Sequence, residues 1–386
     1  MRRVYLDNNA TTPVLPEVLE AMSPYFAEHF GNASSIHHHG QETRAAVERA
    51  RESVAALLVC RPAEIVFTSG GTESDNLAIF GLARPGDHVI TSSVEHHAVL
   101  NSCKQLEERG IEVTYLPVDG RGLVNPDDLR SAIRPNTKLT TIIMANNETG
   151  VLQPVDEIGK ICSDADVYFH TDAVQAASKV PINVKEIGCD LLSISGHKIH
   201  GPQGVGALYV RKGTTLDPML YGGSHERSRR AGTENVPGIV GLGKAAEIAM
   251  KGFENGETTR MAALRDHLEN SILQNVESAR VNGEGAPRVP NTSNIFFEYI
   301  EGEALIIALD LKGLAVSTGA ACSSGAIEPS HVLTAMGLRP DRARASIRFS
   351  LGKQNPAEDV EFAIDLVPAQ VARLRELSPL YNKVHA

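Results

Sequence analysis

The chain is organised around the stretch Ser193-Ile194-Ser195-Gly196-His197-Lys198-Ile199-His200-Gly201-Pro202-Gln203-Gly204-Val205-Gly206. The apolar run 190–194 predicts a buried strand. The small polar residues, glycines and proline after it break regular structure and let a ligand approach the backbone. Lys198, just past a strand end, suits carbonyl chemistry because a desolvated lysine loses its proton readily. The alternative is an ordinary surface lysine in a turn, since most lysines are exposed.

A second polar segment lies upstream, where a predicted strand leads into His170-Thr171-Asp172-Ala173-Val174-Gln175. Asp172 therefore stands at a strand end, as Lys198 does, and ligands of open α/β sheets bind at the carboxyl ends of strands. A lysine and an aspartate in these places match a pyridoxal phosphate site. The lysine holds the aldehyde, and the aspartate keeps the pyridine nitrogen protonated. The alternative for Asp172 is a helix N-cap, and both roles can hold at once.

A glycine turn, Ser69-Gly70-Gly71-Thr72, separates a predicted strand at 64–68 from a predicted helix at 73–82. Free backbone amides and the positive dipole at such a helix start bind anions. The glycine spacing and the missing terminal lysine exclude a Walker loop, so the turn suits a phosphorylated cofactor. The alternative is a plain capped helix, with Thr72 as its cap.

Histidines and one arginine provide further candidate site residues. His96 and His97 follow a predicted strand, where a histidine can stack on a flat cofactor and move protons near neutral pH. Arg348 alternates with apolar neighbours along a predicted strand, so it faces away from them, either to clamp a carboxylate or to pair with an acidic neighbour. Histidines 37–39 lie in a predicted polar loop at 32–40. Adjacent side chains do not share a face, and we therefore assign no intrinsic metal site.

The order of predicted elements indicates the fold class. Strands and helices alternate between residues 41 and 210, which predicts an α/β fold with a mainly parallel sheet flanked by helices. The C-terminal part predicts a smaller α+β unit, and residues 1–14 look irregular. We expect a large domain at 15–255 and a small domain made of 1–14 and 256–386, which carries the cysteine loop described below.

Length and charge exclude several classes of protein. The 386 residues are enough for two domains, and 42% hydrophobic with 22% charged residues is typical of a globular protein. A net charge of −10 argues against broad nonspecific nucleic-acid binding. No apolar run approaches the roughly 20 residues that span a bilayer, and no apolar stretch follows Arg2 and Arg3 as in a signal peptide. We expect a cytoplasmic protein without membrane or direct nucleic-acid contacts.

The five cysteines are dispersed and odd in number, which indicates a reducing compartment and no disulfide framework. Cys322 differs from the others because its surroundings, Ser317 to Ala326, are small or polar. A buried structural cysteine normally packs among bulky apolar residues. Such a loop instead favours a thiol that must move and be reached, the alternative being an incidental loop cysteine.

Taken together, these segments resemble the class V branch of fold-type I pyridoxal phosphate enzymes, and within it the NifS/IscS group of cysteine desulfurases. The resemblance runs from Tyr5 to about Leu351. The motifs that carry it are Tyr5-Leu6-Asp7-Asn8-Asn9-Ala10-Thr11-Thr12, Thr68-Ser69-Gly70-Gly71-Thr72-Glu73-Ser74-Asp75-Asn76, His170-Thr171-Asp172-Ala173-Val174-Gln175, Ser195-Gly196-His197-Lys198, Arg230-Ala231-Gly232-Thr233-Glu234-Asn235 and Ala321-Cys322-Ser323-Ser324-Gly325.

The resemblance implies the cofactor, pyridoxal 5'-phosphate, and its contacts. Lys198 matches the Schiff-base lysine, and Asp172 matches the partner of the pyridine nitrogen. The remaining implied contacts are Gln175 at the ring hydroxyl, His96 stacked on the ring, Asn147 at the cofactor or substrate, and Gly71, Thr72, Ser195 and His197 at the phosphate, joined there by Thr233 from the other subunit of a homodimer.

The resemblance also implies the substrate and the reaction. Arg348 and Asn32 would hold the carboxylate of L-cysteine, and the catalytic residues would be Cys322, Lys198 and His96. L-Cysteine would become L-alanine, and its sulfur, held as a persulfide on Cys322, would pass to a scaffold or sulfur-acceptor protein. Iron–sulfur cluster assembly is the expected destination of the sulfur, and tRNA thiolation and the synthesis of a cofactor are the alternatives. Cys322 would also be available as an iron–sulfur ligand during cluster transfer.

Two alternatives remain at this point. One is another class V pyridoxal phosphate enzyme, a selenocysteine lyase or an aminotransferase, which would not require Cys322 in the same way. The other is a sulfur-relay or scaffold protein that kept the fold and lost the chemistry. The presence of Lys198, Asp172 and Cys322 counts against this second alternative.

Overall fold

The structure is a computed structural model that describes residues 2–318, 329–379 and 381, so Cys322 lies outside the described residues. The strands are β1 Val4–Tyr5, β2 Ile65–Thr68, β3 His88–Ser92, β4 Glu112–Leu116, β5 Thr137–Thr141, β6 Tyr168–Asp172, β7 Leu191–Ser195, β8 Gly206–Val210, β9 Ala279–Val281, β10 Thr292–Phe297, β11 Leu314–Ala315 and β12 Ser346–Ser350. The α-helices are α1 Pro16–Met22, α2 Pro24–Ala27, α3 His38–Leu57, α4 Gly71–Leu82, α5 His97–Glu108, α6 Pro126–Ala132, α7 Val155–Asp164, α8 Val184–Ile187, α9 Val236–Glu254, α10 Glu257–Asn275, α11 Gly302–Asp310, α12 His331–Ala335, α13 Pro340–Arg344 and α14 Ala357–Glu376.

The central sheet has seven strands in the order β2-β8-β7-β6-β5-β3-β4. The pairs from β4 to β7 are parallel, whereas β8 runs antiparallel to both of its neighbours. Strand β2 therefore points in the same direction as β7. The predicted α/β fold with a mainly parallel sheet is confirmed, and the carboxyl ends of β2, β3, β5, β6 and β7 meet at one edge.

Helices cover both faces of this sheet. Neighbouring residues of one strand enter different apolar clusters, because successive side chains of a strand point to opposite faces. Val66 packs with Leu77 of α4, whereas Phe67 packs with Val54 of α3. Burial on both faces explains why β2 and β8 carry apolar residues at successive positions instead of alternating ones.

A second, three-stranded antiparallel sheet in the order β12-β10-β9 belongs to a separate apolar cluster. Helices α10 and α14 contribute Leu268 and Val367 to this cluster. Residues 1–14 were predicted to be irregular. The structure differs, because Val4 and Tyr5 form β1, which pairs in parallel with β11. The predicted domain division near residue 255 stays a prediction.

Two local predictions differ from the structure, and one helix was not predicted. The predicted polar loop at 32–40 ends early, because α3 begins at His38 with His37 as its N-cap. The predicted helix at 73–82 begins two residues sooner, with Gly70 and not Thr72 as the N-cap residue. Helix α5 was not predicted, although it directly follows His96. None of the helices that the structure describes is both long and apolar enough to cross a membrane.

Candidate active site

The loops after five parallel strands converge on a cavity of about 370 Å³. Ten predicted site residues line it, namely Gly71, Thr72, His96, Asn147, Asp172, Gln175, Ser195, His197, Lys198 and Arg348. The other lining residues are Asn9, Ala10, Asp75, Ile143, Val174 and Ser317. Parallel strands explain the convergence, since each one delivers its following loop to the same edge of the sheet.

Lys198 lies in a short 3-10 turn, Gly196–Lys198, directly after β7. Its Nζ donates to the backbone oxygens of Asn9 at 2.5 Å and Ala10 at 2.7 Å. Burial and the positive charge of Arg348 lower the pKa of Lys198 to about 8, against the opposing influence of Asp7 and Asp172. Roughly a tenth of this lysine is therefore a neutral amine at pH 7, which is far more than for an ordinary lysine and is the form that carbonyl chemistry requires.

Asp172, the last residue of β6, is buried beside a second carboxyl group, Asp75 of α4. One carboxylate oxygen of each of these two residues and one ring nitrogen of His96 all lie within 4.8 Å of one another. Burial raises the pKa of both carboxyls, and Asp75 is raised further by the charge of Asp172. Val174 N–H, at 2.9 Å from Asp172 Oδ1, favours the ionised form of Asp172. Asp172 is thus the carboxylate that a protonated ring nitrogen would satisfy.

The start of α4 lies at the glycine turn for which the sequence predicts an anion site. Gly70 has φ 155°, a conformation that favours glycine. A Cβ on Gly71 would meet Val174 Cγ2 at 2.7 Å, so the close packing of the helix start against Val174 favours glycine there. Glu73, in the first turn, is held by the Ser69 N–H at 2.8 Å and by Arg230 Nε at 2.9 Å. The carboxylate is therefore already paired and leaves the helix start to another anion.

His96 is the N-cap residue of α5 and is open to the cavity. Its Nδ1 accepts from the Ala98 N–H at 3.1 Å, so the neutral ring carries its proton on Nε2. Burial, Lys198 and the histidines His97 and His331 lower the pKa of His96 to about 4. His96 is consequently a neutral ring at neutral pH, able to stack and to donate a hydrogen bond from Nε2.

Arg348 of β12 reaches the cavity from the second sheet and is buried. Its Nη1 donates to the Asn147 backbone oxygen at 2.8 Å, and its Nη2 donates to Asp7 Oδ1 at 2.7 Å. Within the part of the chain that the structure describes, its Nε has no hydrogen-bond partner. A buried donor left unpaired is costly, which suits a site that a carboxylate completes.

Sequence reasoning missed two residues at the centre of this network, Asn9 and Lys179. The backbone oxygen of Asn9 accepts from Gln175 Nε2 at 2.9 Å as well as from Lys198. Its side-chain Oδ1 accepts from Lys179 Nζ at 3.0 Å, and Lys179 also donates to Gln175 Oε1 at 2.5 Å. The one local signal for Lys179 is its position four residues after Gln175.

Three predicted site residues do not line the cavity. Asn32 is exposed, and its Oδ1 accepts from the Ser34 N–H at 2.8 Å. Thr233 is exposed on the loop that precedes α9. Cys322 lies outside the described residues.

The residues of the cavity fit pyridoxal phosphate. A glycine-lined helix start suits its phosphate, the buried carboxylate of Asp172 suits its ring nitrogen, and the amine of Lys198, with its lowered pKa, suits its aldehyde. Each of these three features matches a different part of the cofactor.

Comparison with known proteins agrees with this geometry. The family model described as Aminotransferase class-V matches residues 4–362. A protein named cysteine desulfurase IscS from Methanosarcina thermophila is 53% identical over 386 residues, covering 99% of this chain and 95% of its own length. Another of that name, from Dictyoglomus turgidum, is 51% identical over 382 residues, with 98% and 97% covered.

Solved structures are similar over nearly the whole chain. A structure titled NifS-like protein superposes with a TM-score of 0.89 at 38% identity, covering 96% of this chain and 100% of its own. A structure titled SspA in complex with cysteine has a TM-score of 0.80 at 39% identity, with 90% and 98% covered. The chain therefore belongs to the aminotransferase class-V family and, within it, to the cysteine desulfurases of the NifS/IscS type.

Proposed function

We propose that this cysteine desulfurase uses pyridoxal 5'-phosphate to convert L-cysteine to L-alanine, and that it holds the sulfur as a persulfide on Cys322. The observation that carries the proposal is the single cavity lined by Lys198, Asp172 and Arg348. These side chains supply an amine for the cofactor aldehyde, a carboxylate for its ring nitrogen and a guanidinium for the carboxylate of an amino acid.

The cofactor would be held at three points. The helix start at Gly71 and Thr72, with Ser195 and His197, would take the phosphate, Asp172 would take the ring nitrogen, and Gln175 would take the ring hydroxyl. When bound, pyridoxal phosphate supplies an electron sink for the electron pair left on the substrate α-carbon. His96, with its neutral ring, would lie against the cofactor.

Lys198 is the residue that moves protons. With a pKa of about 8, its amine gives up and takes back a proton near neutral pH at little cost. Its two hydrogen bonds to the backbone oxygens of Asn9 and Ala10 fix the Nζ position. With Nζ held at this position, the neutral amine of Lys198 would remove the α-proton of a substrate bound in the cavity.

Arg348 binds the substrate carboxylate. Its Nε donor lacks a partner among the residues that the structure describes, and its remaining nitrogens are anchored by Asp7 and Asn147. The guanidinium therefore presents a fixed fork to the incoming carboxylate. Asn147 would contact the cofactor or the substrate, and Asn32, on its exposed loop, would complete the carboxylate site.

Cys322 would carry out the sulfur transfer. Its thiolate attacks the substrate sulfur, so an S–S bond forms while the substrate C–S bond breaks and leaves its electron pair on the carbon fragment. That fragment takes up protons and leaves as alanine, so cysteine and the Cys322 thiol become alanine and a Cys322 persulfide. The described cysteines are poor competitors, because burial raises the pKa of Cys60, Cys103 and Cys162 to about 12 and that of Cys189 further.

The active unit would be a homodimer with Thr233 completing the phosphate site of the other subunit. A wider cleft of about 850 Å³ shares Thr72 and His96 with the cofactor cavity and is bordered by Met219 and Tyr221. Both of these side chains are exposed, Tyr221 by 84%. An open side of the site bordered by exposed apolar groups suits coverage by a second copy.

The sulfur would pass from Cys322 to a scaffold or sulfur-acceptor protein for iron–sulfur cluster assembly in the cytoplasm. During cluster transfer Cys322 would serve as an iron–sulfur ligand, and the protein would hold no metal of its own. The supporting chemistry is that a persulfide transfers its outer sulfur directly to an acceptor thiol.

Mass spectrometry tests the proposal. After L-cysteine is added without reductant, we expect the Cys322 peptide to gain the mass of one sulfur and alanine to accumulate. Cys322→Ser should bind the cofactor normally and form neither product. Cys60→Ser is the matched control, because Cys60 is half-buried and its thiol has a raised pKa. Full activity of Cys322→Ser would contradict the proposal and favour a selenocysteine lyase or an aminotransferase.

A further inference from the structure

Lys179 is a buried amine that the proposed reaction does not use. It is only 7% exposed, and it lies behind Gln175 without lining the cofactor cavity. Its Nζ has two acceptors, Asn9 Oδ1 at 3.0 Å and Gln175 Oε1 at 2.5 Å. A buried lysine costs free energy unless it is paired, and both acceptors of Lys179 belong to residues that line the cavity.

The two ends of the Gln175 amide have partners of opposite polarity. Lys179 Nζ donates to Oε1, and the backbone oxygen of Asn9, which can only accept, receives a hydrogen bond from Nε2 at 2.9 Å. An amide can flip by 180° when its surroundings do not discriminate its oxygen from its nitrogen. Here a flip would break both hydrogen bonds and set Nε2 against the lysine.

Gln175 lines the cavity, and its Nε2 has a second N–H besides the one given to Asn9. We infer that Lys179 is a positioning residue. It fixes the Gln175 amide so that an N–H, and not the amide oxygen, faces the oxygen of the ring hydroxyl of pyridoxal phosphate. The inference rests on the proposed function, in which Gln175 takes that ring oxygen. An N–H donor favours the ionised form of the ring oxygen.

Asn9 makes this arrangement rigid. Its side-chain Nδ2 donates to Thr292 Oγ1 at 2.9 Å and to the Asn147 backbone oxygen at 3.2 Å, so its Oδ1 is fixed toward Lys179. Burial lowers the pKa of Lys179 well below its ordinary value, and the charges of Lys198 and Arg348 lower it further. Lys179 therefore contributes two oriented N–H groups, one to Asn9 Oδ1 and one to Gln175 Oε1.

A comparison of two cofactors tests the inference without measuring activity. Cofactor-free protein is titrated with pyridoxal phosphate and with 3-deoxypyridoxal phosphate, which lacks the ring hydroxyl. In Lys179→Met we expect the affinity for pyridoxal phosphate to fall about tenfold, the scale of one hydrogen bond to an ionised group, and that for the analogue to change less than about twofold. The visible absorbance of bound pyridoxal phosphate should also shift toward its short-wavelength form.

Two further variants complete the design. Lys185→Met is the matched control, because Lys185 is an exposed lysine close in sequence, and it should change neither affinity. The double variant Gln175→Met/Lys179→Met should bind pyridoxal phosphate no more weakly than Gln175→Met, since Lys179 acts through Gln175. An equal loss of affinity for both cofactors in Lys179→Met, or no loss of affinity for either, would overturn this inference and leave the proposed function standing. Failure of the wild type to bind pyridoxal phosphate would overturn the proposed function, and the inference with it.

Discussion

Arg348 Nη2 donates to Asp7 Oδ1 at 2.7 Å, which ties β12 of the second sheet to the N-terminal segment at the edge of the cavity. The same guanidinium donates to the Asn147 backbone oxygen, and so its plane is fixed at two points. Its Nε stays unpaired among residues 2–318, 329–379 and 381. An anchored guanidinium with a spare donor has already paid the ordering cost of binding a carboxylate.

Replacing this arginine by lysine should weaken substrate binding selectively. In Arg348→Lys a single ammonium group replaces the planar fork and cannot satisfy Asp7, Asn147 and a carboxylate together. We expect KM for L-cysteine to rise about tenfold or more, with little change in cofactor affinity. Alanine release and titration with pyridoxal phosphate measure the two effects. Arg339→Lys, at an exposed arginine, is the control, and an unchanged KM in Arg348→Lys would contradict the carboxylate role.

The lowered pKa of Lys198 predicts how cofactor capture depends on pH. Only the neutral amine attacks the aldehyde, and burial together with Arg348 lowers the Lys198 pKa to about 8. Below this pH the protonated, unreactive form dominates, so the capture rate should fall about tenfold per pH unit. Above it, the rate should level off. The initial rise of visible absorbance after pyridoxal phosphate is mixed with cofactor-free protein measures this profile.

The same profile has an internal check in Arg348→Gln. Removing this positive charge should raise the Lys198 pKa and move the midpoint to higher pH, because the charge of Arg348 is one of its two main lowering causes. A wild-type midpoint near the ordinary lysine value of 10.5 would contradict the burial argument.

The elements of the site that were predicted share one property, which is a local signal. Gly71 and Lys198 each follow a strand within a few residues, Asp172 is the last residue of another, and parallel strands bring such positions to one edge. Sequence reasoning therefore needed no long-range contact to place them together. The sheet type was predicted correctly because it follows from the order of strands and helices along the chain. The exact starts of α3 and α4 were not predicted, since helix ends depend on cap geometry.

The missed elements depend on contacts between distant parts of the chain. Asn9 and Lys179 are 170 residues apart, and Asn9 and Lys198 are 189 residues apart. No local pattern marks Asn9 as the residue that joins them. Asp75 was quoted within a motif, but its burial against Asp172 depends on how α4 packs on the sheet. Thr233 differs from these residues, because its proposed site belongs to a second copy of the chain.

Mixing two inactive variants should restore activity if Thr233 is shared between subunits. In a heterodimer of Lys198→Ala and Thr233→Ala chains, one site would carry both defects and the other would carry neither, as two-fold symmetry requires. We expect about one active site per heterodimer, measured by alanine release from purified mixed dimers. Heterodimers without recovered activity would show that each chain supplies its own Thr233.

The loop that carries Thr233 is anchored by a buried ion pair, whose removal should destabilise the fold. Arg51 donates from Nη1 and Nη2 to the two carboxylate oxygens of Glu226, each at 2.8 Å, and the two side chains are 5% and 4% exposed. Glu226 Oε2 also accepts from the Phe67 N–H at 2.9 Å. Glu226 has a positive φ of 44°, which this pairing holds in place.

Glu226→Ala should therefore lower the free energy of unfolding by about 3–5 kcal/mol, because Arg51 Nη2 and the Phe67 N–H lose their acceptor and stay buried, while Arg51 keeps Glu48 and the Ile65 backbone oxygen. Glu112→Ala is the matched control: Glu112 pairs with Arg134 at the surface, its side chain is 67% exposed, and exposed pairs contribute at most about 1 kcal/mol. Urea unfolding of the cofactor-free variants, followed by far-ultraviolet circular dichroism, measures the difference. Equal midpoints for the two variants would mean that Arg51 finds another partner when Glu226 is removed, and that the ion pair does not anchor the Thr233 loop.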